Sequence, residues 1–178
     1  ITLDTASKVA GSNLTLIGTG VTINPAVTLA SLSVTGPLTV GSGGAITTTA
    51  GDLVITNGLA GLSTGTFFTA QSGKVVLGGG TAGANDLTIT GDEIDITAAL
   101  SGTGQLVLQS FTTSRDIELG AGGSDLNVNK LDLGAAELAF LQDGFSSIFI
   151  GRSDATGGIA LAGPVSFADP VTLRTPGG

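Results

Sequence analysis

From Asn85 to Leu133 aliphatic positions come in short bursts separated by turns. The bursts are Leu87-Thr88-Ile89, Ile94-Asp95-Ile96, Leu106-Val107-Leu108, Ile117-Glu118-Leu119, Leu126-Asn127-Val128 and Leu131-Asp132-Leu133. Alternation at period two sends the flanking aliphatics of a triad to one face and its middle residue to the other. Gly, Ser, Asn and Asp between the triads supply the turns. The leading residues Leu87, Leu106, Leu126, Ile148 and Val171 stand 19, 20, 22 and 23 residues apart. Two or three short strands with tight corners fill that length, so the spacing predicts the rungs of a parallel β-solenoid.

The first quarter carries the same pattern with hydroxyl residues in the middle: Leu14-Thr15-Leu16-Ile17, Val21-Thr22-Ile23, Val27-Thr28-Leu29, Leu32-Ser33-Val34 and Leu38-Thr39-Val40. β-Branched Thr suits a solvated strand face. Residues 41–83 are less regular. Strands are expected at Ala45–Thr49 and Leu53–Ile55, with 57–66 as loop, Phe67-Phe68 apolar, Lys74–Leu77 leading into Gly78-Gly79-Gly80, and a longer corner or excursion from the solenoid in this stretch. Pro37, Pro164 and Pro170 each precede an apolar residue and mark strand entries, where a missing N–H costs no interior ladder bond.

One stretch breaks the β pattern. Between Gly134 and Phe145 lie helix formers, with Glu137 in the first turn and Gly144 where a left-handed C′ residue belongs, which predicts a two-turn helix near 135–143 with Phe145 against Phe140. In Ile148-Phe149-Ile150 the middle Phe faces outward and needs cover, which the helix is expected to provide.

Composition narrows this to a single all-β domain over 1–178. The chain is 41% hydrophobic and 11% charged, with 30 Gly and seven Phe, so its core is aliphatic. A net charge of −8 with six scattered basic residues argues against nucleic-acid binding, which needs clustered Lys and Arg. No apolar run approaches the ~20 residues of a spanning helix. With no Met and no visible signal peptide, the chain is expected to be a mature or trimmed segment of a longer repetitive protein.

Catalytic chemistry has few materials here. Without His or Cys, Ser/His and Cys/His arrangements are excluded, and no motif surrounds Lys8, Lys74 or Lys130 for a Ser–Lys pair. Asp92, Glu93 and Asp95 cluster at one turn. Paired acids serve carbohydrate-active solenoids or hold Ca²⁺, but a single cluster without a cleft reads as a solvated turn. Residues Gly120–Asp125 approach a Ca²⁺-binding β-roll turn, yet Ala121 replaces a glycine and tandem copies are missing, so this segment reads as a corner. The pairs Thr47/Thr49 and Thr88/Thr90 raise ice binding, but Val107, Glu118, Asn127, Phe149, Ala160 and Ser166 at later outward positions do not continue a threonine ladder. The sequon Asn13-Leu14-Thr15 carries little weight outside a eukaryotic secretory route. No catalytic, cofactor-binding or metal-binding residue is assigned.

Several phrases in the second half resemble a known family. They are Asp92-Glu93-Ile94-Asp95-Ile96, Gly102-Thr103-Gly104-Gln105-Leu106-Val107-Leu108-Gln109, Ala135-Ala136-Glu137-Leu138, the run 143–152 and the run 165–174. This order is similar to the repeat modules of filamentous-haemagglutinin-like giant surface exoproteins of bacterial and cyanobacterial type. The resemblance covers 86–178. It implies a long right-handed parallel β-helix on the cell surface, serving adhesion, biofilm matrix or filament formation, and it brings no catalytic motif. Phe149 stands where a small polar residue is expected.

These readings converge on a parallel, right-handed β-solenoid of eight or nine rungs, on the order of 40 Å long. The expected function is a structural or adhesive module of an extracellular filament, not an enzyme and without cofactors. Neither Ile1-Thr2-Leu3 nor Val171-Thr172-Leu173 carries a polar cap, so the expected partners are further copies stacked end to end or flanking repeats, together with surface glycans. The alternatives are a carbohydrate-binding or carbohydrate-active solenoid and an ice- or surface-binding module.

Overall fold

A computed structural model describes residues 1–4, 10–41, 44–63, 65–122 and 129–175. These described residues are almost entirely parallel β, a solenoid of about eight turns with a single short helix among them.

After β1 (Thr2–Leu3) each turn contributes one short strand to each of three faces. The first turn is β2 (Asn13–Ile17), β3 (Val21–Ile23) and β4 (Val27–Leu29), and the second is β5 (Ser31–Thr35), β6 (Leu38–Val40) and β7 (Ala45–Thr48). Then follow β8 (Leu53–Ile55), β9 (Leu59–Leu62) and β10 (Thr66–Ala70), and β11 (Val75–Leu77), β12 (Gly80–Thr81) and β13 (Leu87–Thr90). The fifth turn holds β14 (Ile94–Ile96), β15 (Leu100–Ser101) and β16 (Gln105–Gln109). Beyond it come β17 (Asp116–Leu119), β18 (Lys130–Leu133), the helix α1 (Ala135–Ala139), β19 (Ser147–Gly151), β20 (Ile159–Leu161) and β21 (Val171–Arg174).

One face, the first sheet, stacks β1-β3-β6-β9-β12-β15. The second runs β2-β5-β8-β11-β14, and the third runs from β4 through β7, β10, β13, β16 and β19 to β21. Every named pairing is parallel, and like sits on like: Val27, Ile46, Phe68, Ile89, Leu108 and Ile150 form one continuous inward column, each at most 3% exposed. Burying each such side chain contributes about 1.5–3 kcal/mol. Because alternation has period two, a one-residue slip would turn the whole column to solvent, so the aliphatics hold the register.

The stretch 41–83 departs from the expected looseness. Strands β7 to β12 pair in register with the rungs on both sides, and the one shift lies between Leu38 and Thr39, where β6 meets β9. The expected loop at 57–66 contains β9, and the glycine run Gly78-Gly79-Gly80 leads into β12. Glycine is required there. Gly80 has φ +100°, and a Cβ on it would stand 2.2 Å from the Leu59 nitrogen. Pro37 and Pro170 do sit at strand entries, their carbonyls accepting from Val21 and Ile148. Pro164 does not, since 162–170 contains no strand.

The real excursion lies later. Leu87, Leu106, Ile148 and Val171 share one column, but Leu106 pairs directly with Ile148, an interval of 42 residues (106 to 148). Leu126-Asn127-Val128 lies outside the described residues. In those 42 residues the chain forms β17 and then β18, paired parallel to it, giving a separate sheet in the order β18-β17-β20. Since β18 lies close to β14, this sheet continues the face that ended at β14, with β17 and β18 in reversed chain order.

The helix is shorter than the sequence predicts, covering Ala135–Ala139 with Phe140 as C-cap. It stops because Leu141 must rejoin the first sheet beside Leu100: the Leu100 N–H donates to the Phe140 carbonyl at 2.9 Å, and the Gln142 N–H donates to the Leu100 carbonyl at 2.9 Å. Gly144 (φ +132°) therefore serves the following turn, whose Gly144 and Phe145 N–H groups donate to the Asp169 carboxylate, and is not a helix C′ residue. Phe145 is buried, with its ring edge against Gly102. Phe149 is covered by the Arg174 guanidinium, 3.6 Å above the ring centroid, and the helix lies instead on the β14 face.

Two substitutions test this account. The Thr48 hydroxyl is fully buried with no hydrogen-bond partner, so Thr48→Val is expected to raise stability by about 1 kcal/mol in chemical denaturation. Gly80→Ala is expected to lower it by about 2 kcal/mol or more, because its conformation and the Leu59 backbone both reject a side chain.

Candidate functional site

The acidic turn singled out in the sequence does not act as one unit. Asp92 reaches across to the corner after β16, accepting from the Thr112 N–H at 2.7 Å and the Thr112 hydroxyl at 2.5 Å, with the Arg115 Nε at 3.3 Å. Arg152 ties the same corner, donating to the Ser110 and Phe111 carbonyls while gripping Asp154. That grip holds the Arg152 guanidinium above its ordinary range and the Asp154 carboxyl below the usual carboxylate range. Glu93 takes part in the ladder through its backbone, accepting from the Val75 N–H.

Asp95 sits apart. It is the middle residue of its triad, and alternation points it outward, yet it is only 8% exposed. Its Oδ2 lies 2.6 Å from the Lys74 Nζ. The cover comes from the seam between β14 and β18, roofed by α1, where a cavity of about 640 Å³ is lined by Asp95, Ile96, Thr97, Ala135, Glu137 and Phe140 among others. Asp132, the middle residue of β18, is likewise buried, at 6% exposed. On β17, Glu118 pairs with Lys130 at 2.5 Å, and this hydrogen bond raises the Lys130 pKa.

Glu137 closes the seam. Its Oε1 accepts from the Ile96 N–H at 3.1 Å and its Oε2 from the Gly134 N–H at 2.8 Å, so one carboxylate ties the sheet edge to the start of the helix. The sequence marks it only as a first-turn acid, and nothing local reveals that its second oxygen replaces a neighbouring strand. Asp95 and Glu137 thus place two acids at one cavity, but Asp95 holds Lys74 and Glu137 holds two backbone N–H groups. Among the described residues no cluster of three metal-ligating side chains occurs. Lys8 and half of the Gly120–Asp125 corner (Gly123, Ser124 and Asp125) lie outside them.

The threonine ladder is longer than the sequence implies. On the outward side of the third sheet, Thr28, Thr47, Thr69 and Thr90 occupy one column on four successive rungs. The positions that seemed to interrupt it belong elsewhere: Glu118 and Ala160 are on the β17 sheet, Val107 and Phe149 are in the neighbouring column, Ser166 is in no strand and Asn127 is not described. The neighbouring column reads Ala45, Phe67, Thr88, Val107, Phe149 and Thr172, so the paired ranks of a flat ice-binding face are not repeated.

No protein-family model, curated protein or solved structure matches this chain. Among the described residues, no helix is long and apolar enough to cross a membrane.

Glu137→Ala is expected to destabilise the chain by about 1–3 kcal/mol and to abolish slow amide exchange at Ile96, whose N–H loses its acceptor. Unchanged exchange at Ile96 would refute the role given to this carboxylate.

Proposed function

We propose that the chain is a structural, adhesive module of an extracellular filament, built to be continued at its ends. The observation that carries this reading is the state of the last rungs. Leu161 and Leu173 face inward by alternation yet are 63% and 43% exposed, and among the described residues no strand pairs with the outer edges of β20 and β21. At the other end β2 is an edge strand whose inward Leu14 and Leu16 are only half-buried. An open row of parallel N–H and C=O groups over an uncovered aliphatic column is a template for another rung. The two ends differ, so copies of the chain would join head to tail, a heterologous contact that does not close. Similarity of 86–178 to filamentous-haemagglutinin-like modules supports the same reading, with a surface or biofilm matrix as its setting and flanking repeats as the covalent equivalent of a stacked copy.

Negative-stain electron microscopy over a concentration series tests it. Fibres of constant width are expected, shortening to single rods in Leu161→Lys/Leu173→Lys, which places two ammonium groups on the open end. Single rods of the unmodified chain at every concentration would overturn self-stacking.

A further inference from the structure

We infer that the outward side of the third sheet is a binding face for a neutral, hydroxyl-rich polysaccharide running along the solenoid axis. The first support is charge. In a chain of net −8, no strand position on this face carries a charge from β4 to β19, and the first to do so is Arg174 on β21. The second face, by contrast, carries Lys74 and Asp95, and its continuation carries Asp132 and Glu118. An anionic polymer gains no counter-charge on the neutral face and is repelled by the molecule as a whole.

The second support is chemistry. The hydroxyls of Thr28, Thr47, Thr69 and Thr88 make no hydrogen bond among the described residues, whereas Thr90 accepts from the Gln109 side chain. Four hydroxyls, each able to donate and accept, are therefore available on adjacent rungs ~4.8 Å apart. Beside them Phe67 is 49% exposed, a large apolar ring half open to solvent. A sugar chain offers what this face can take, hydroxyls for the threonines and C–H faces for the ring and for Val107. The seven strands give a track of about 29 Å, long enough for an extended polymer. Ice would need the second column to repeat as well, and Phe67 and Val107 break it.

Co-sedimentation with microcrystalline cellulose and with chitin tests this, below any concentration that yields fibres and beside a polysaccharide-free tube. Retention on at least one of them is expected, and at least tenfold weaker retention of Phe67→Ala/Thr69→Asp and of Thr47→Asp. Val54→Asp on the second face should bind as the unmodified chain does, with melting temperatures measured for all four proteins. Failure of the unmodified chain to bind either polymer, equal binding by both third-sheet variants, or displacement by heparin would overturn the inference. Thermal hysteresis lost in Thr47→Asp would reassign the face to ice. None of these results depends on whether the ends stack.

Discussion

Everything in this molecule depends on parallel strands landing on one another in register, turn after turn. A rung alone buries almost nothing, since its strands are two to five residues long. Only when Val27 meets Ile46 and Ile46 meets Phe68 does an inward column become a core, and only then are backbone donors and acceptors satisfied. Stability is a nearest-neighbour property of this kind of fold. Aliphatic residues that slide past one another would not hold a register without the alternation that makes a one-step slip so costly.

This dependence explains what could be read in advance. Triads such as Leu53-Val54-Ile55 and Leu106-Val107-Leu108 declare themselves because both flanking residues must be large and inward. Of the strands that escaped notice, β9, β12 and β15 belong to the first sheet: Gly80 in β12 packs against the Leu59 backbone and leaves no room for a side chain, and β9 carries its buried Leu59 and Leu62 three residues apart across the register shift, so neither shows an apolar–polar–apolar triad. The even spacing through Leu126 is misleading in a different way. It matches the period although the chain spends two periods between Leu106 and Ile148, and periodicity cannot distinguish a rung from a detour of the same length. Glu137 was legible as a first-turn acid, but its bond to Ile96 spans 41 residues and is a tertiary fact.

The acids follow the same division. As a sequence cluster, Asp92, Glu93 and Asp95 suggest shared chemistry. In three dimensions they diverge, to a corner, a ladder and a seam, because Asp92 and Glu93 lie in the turn before β14 and only Asp95 stands in the strand itself. The third sheet shows the converse. Thr28, Thr47, Thr69 and Thr90 are far apart in the chain, and register alone makes them one surface.

The reversed order of β17 and β18 bears on assembly in time. A chain that folds from its N-terminal end can lay down its first five turns as a simple winding, each new strand landing on a finished one. At β17 that rule fails, for the place next to β14 belongs to residues not yet delivered. In such an order of folding β17 would have no paired neighbour until Lys130–Leu133 follows, since both strands it pairs with, β18 and β20, come later in the chain. The seam under the helix is thus a punctuation mark in an otherwise continuous process, dividing the solenoid into a part that zips as it emerges and a part that closes afterwards.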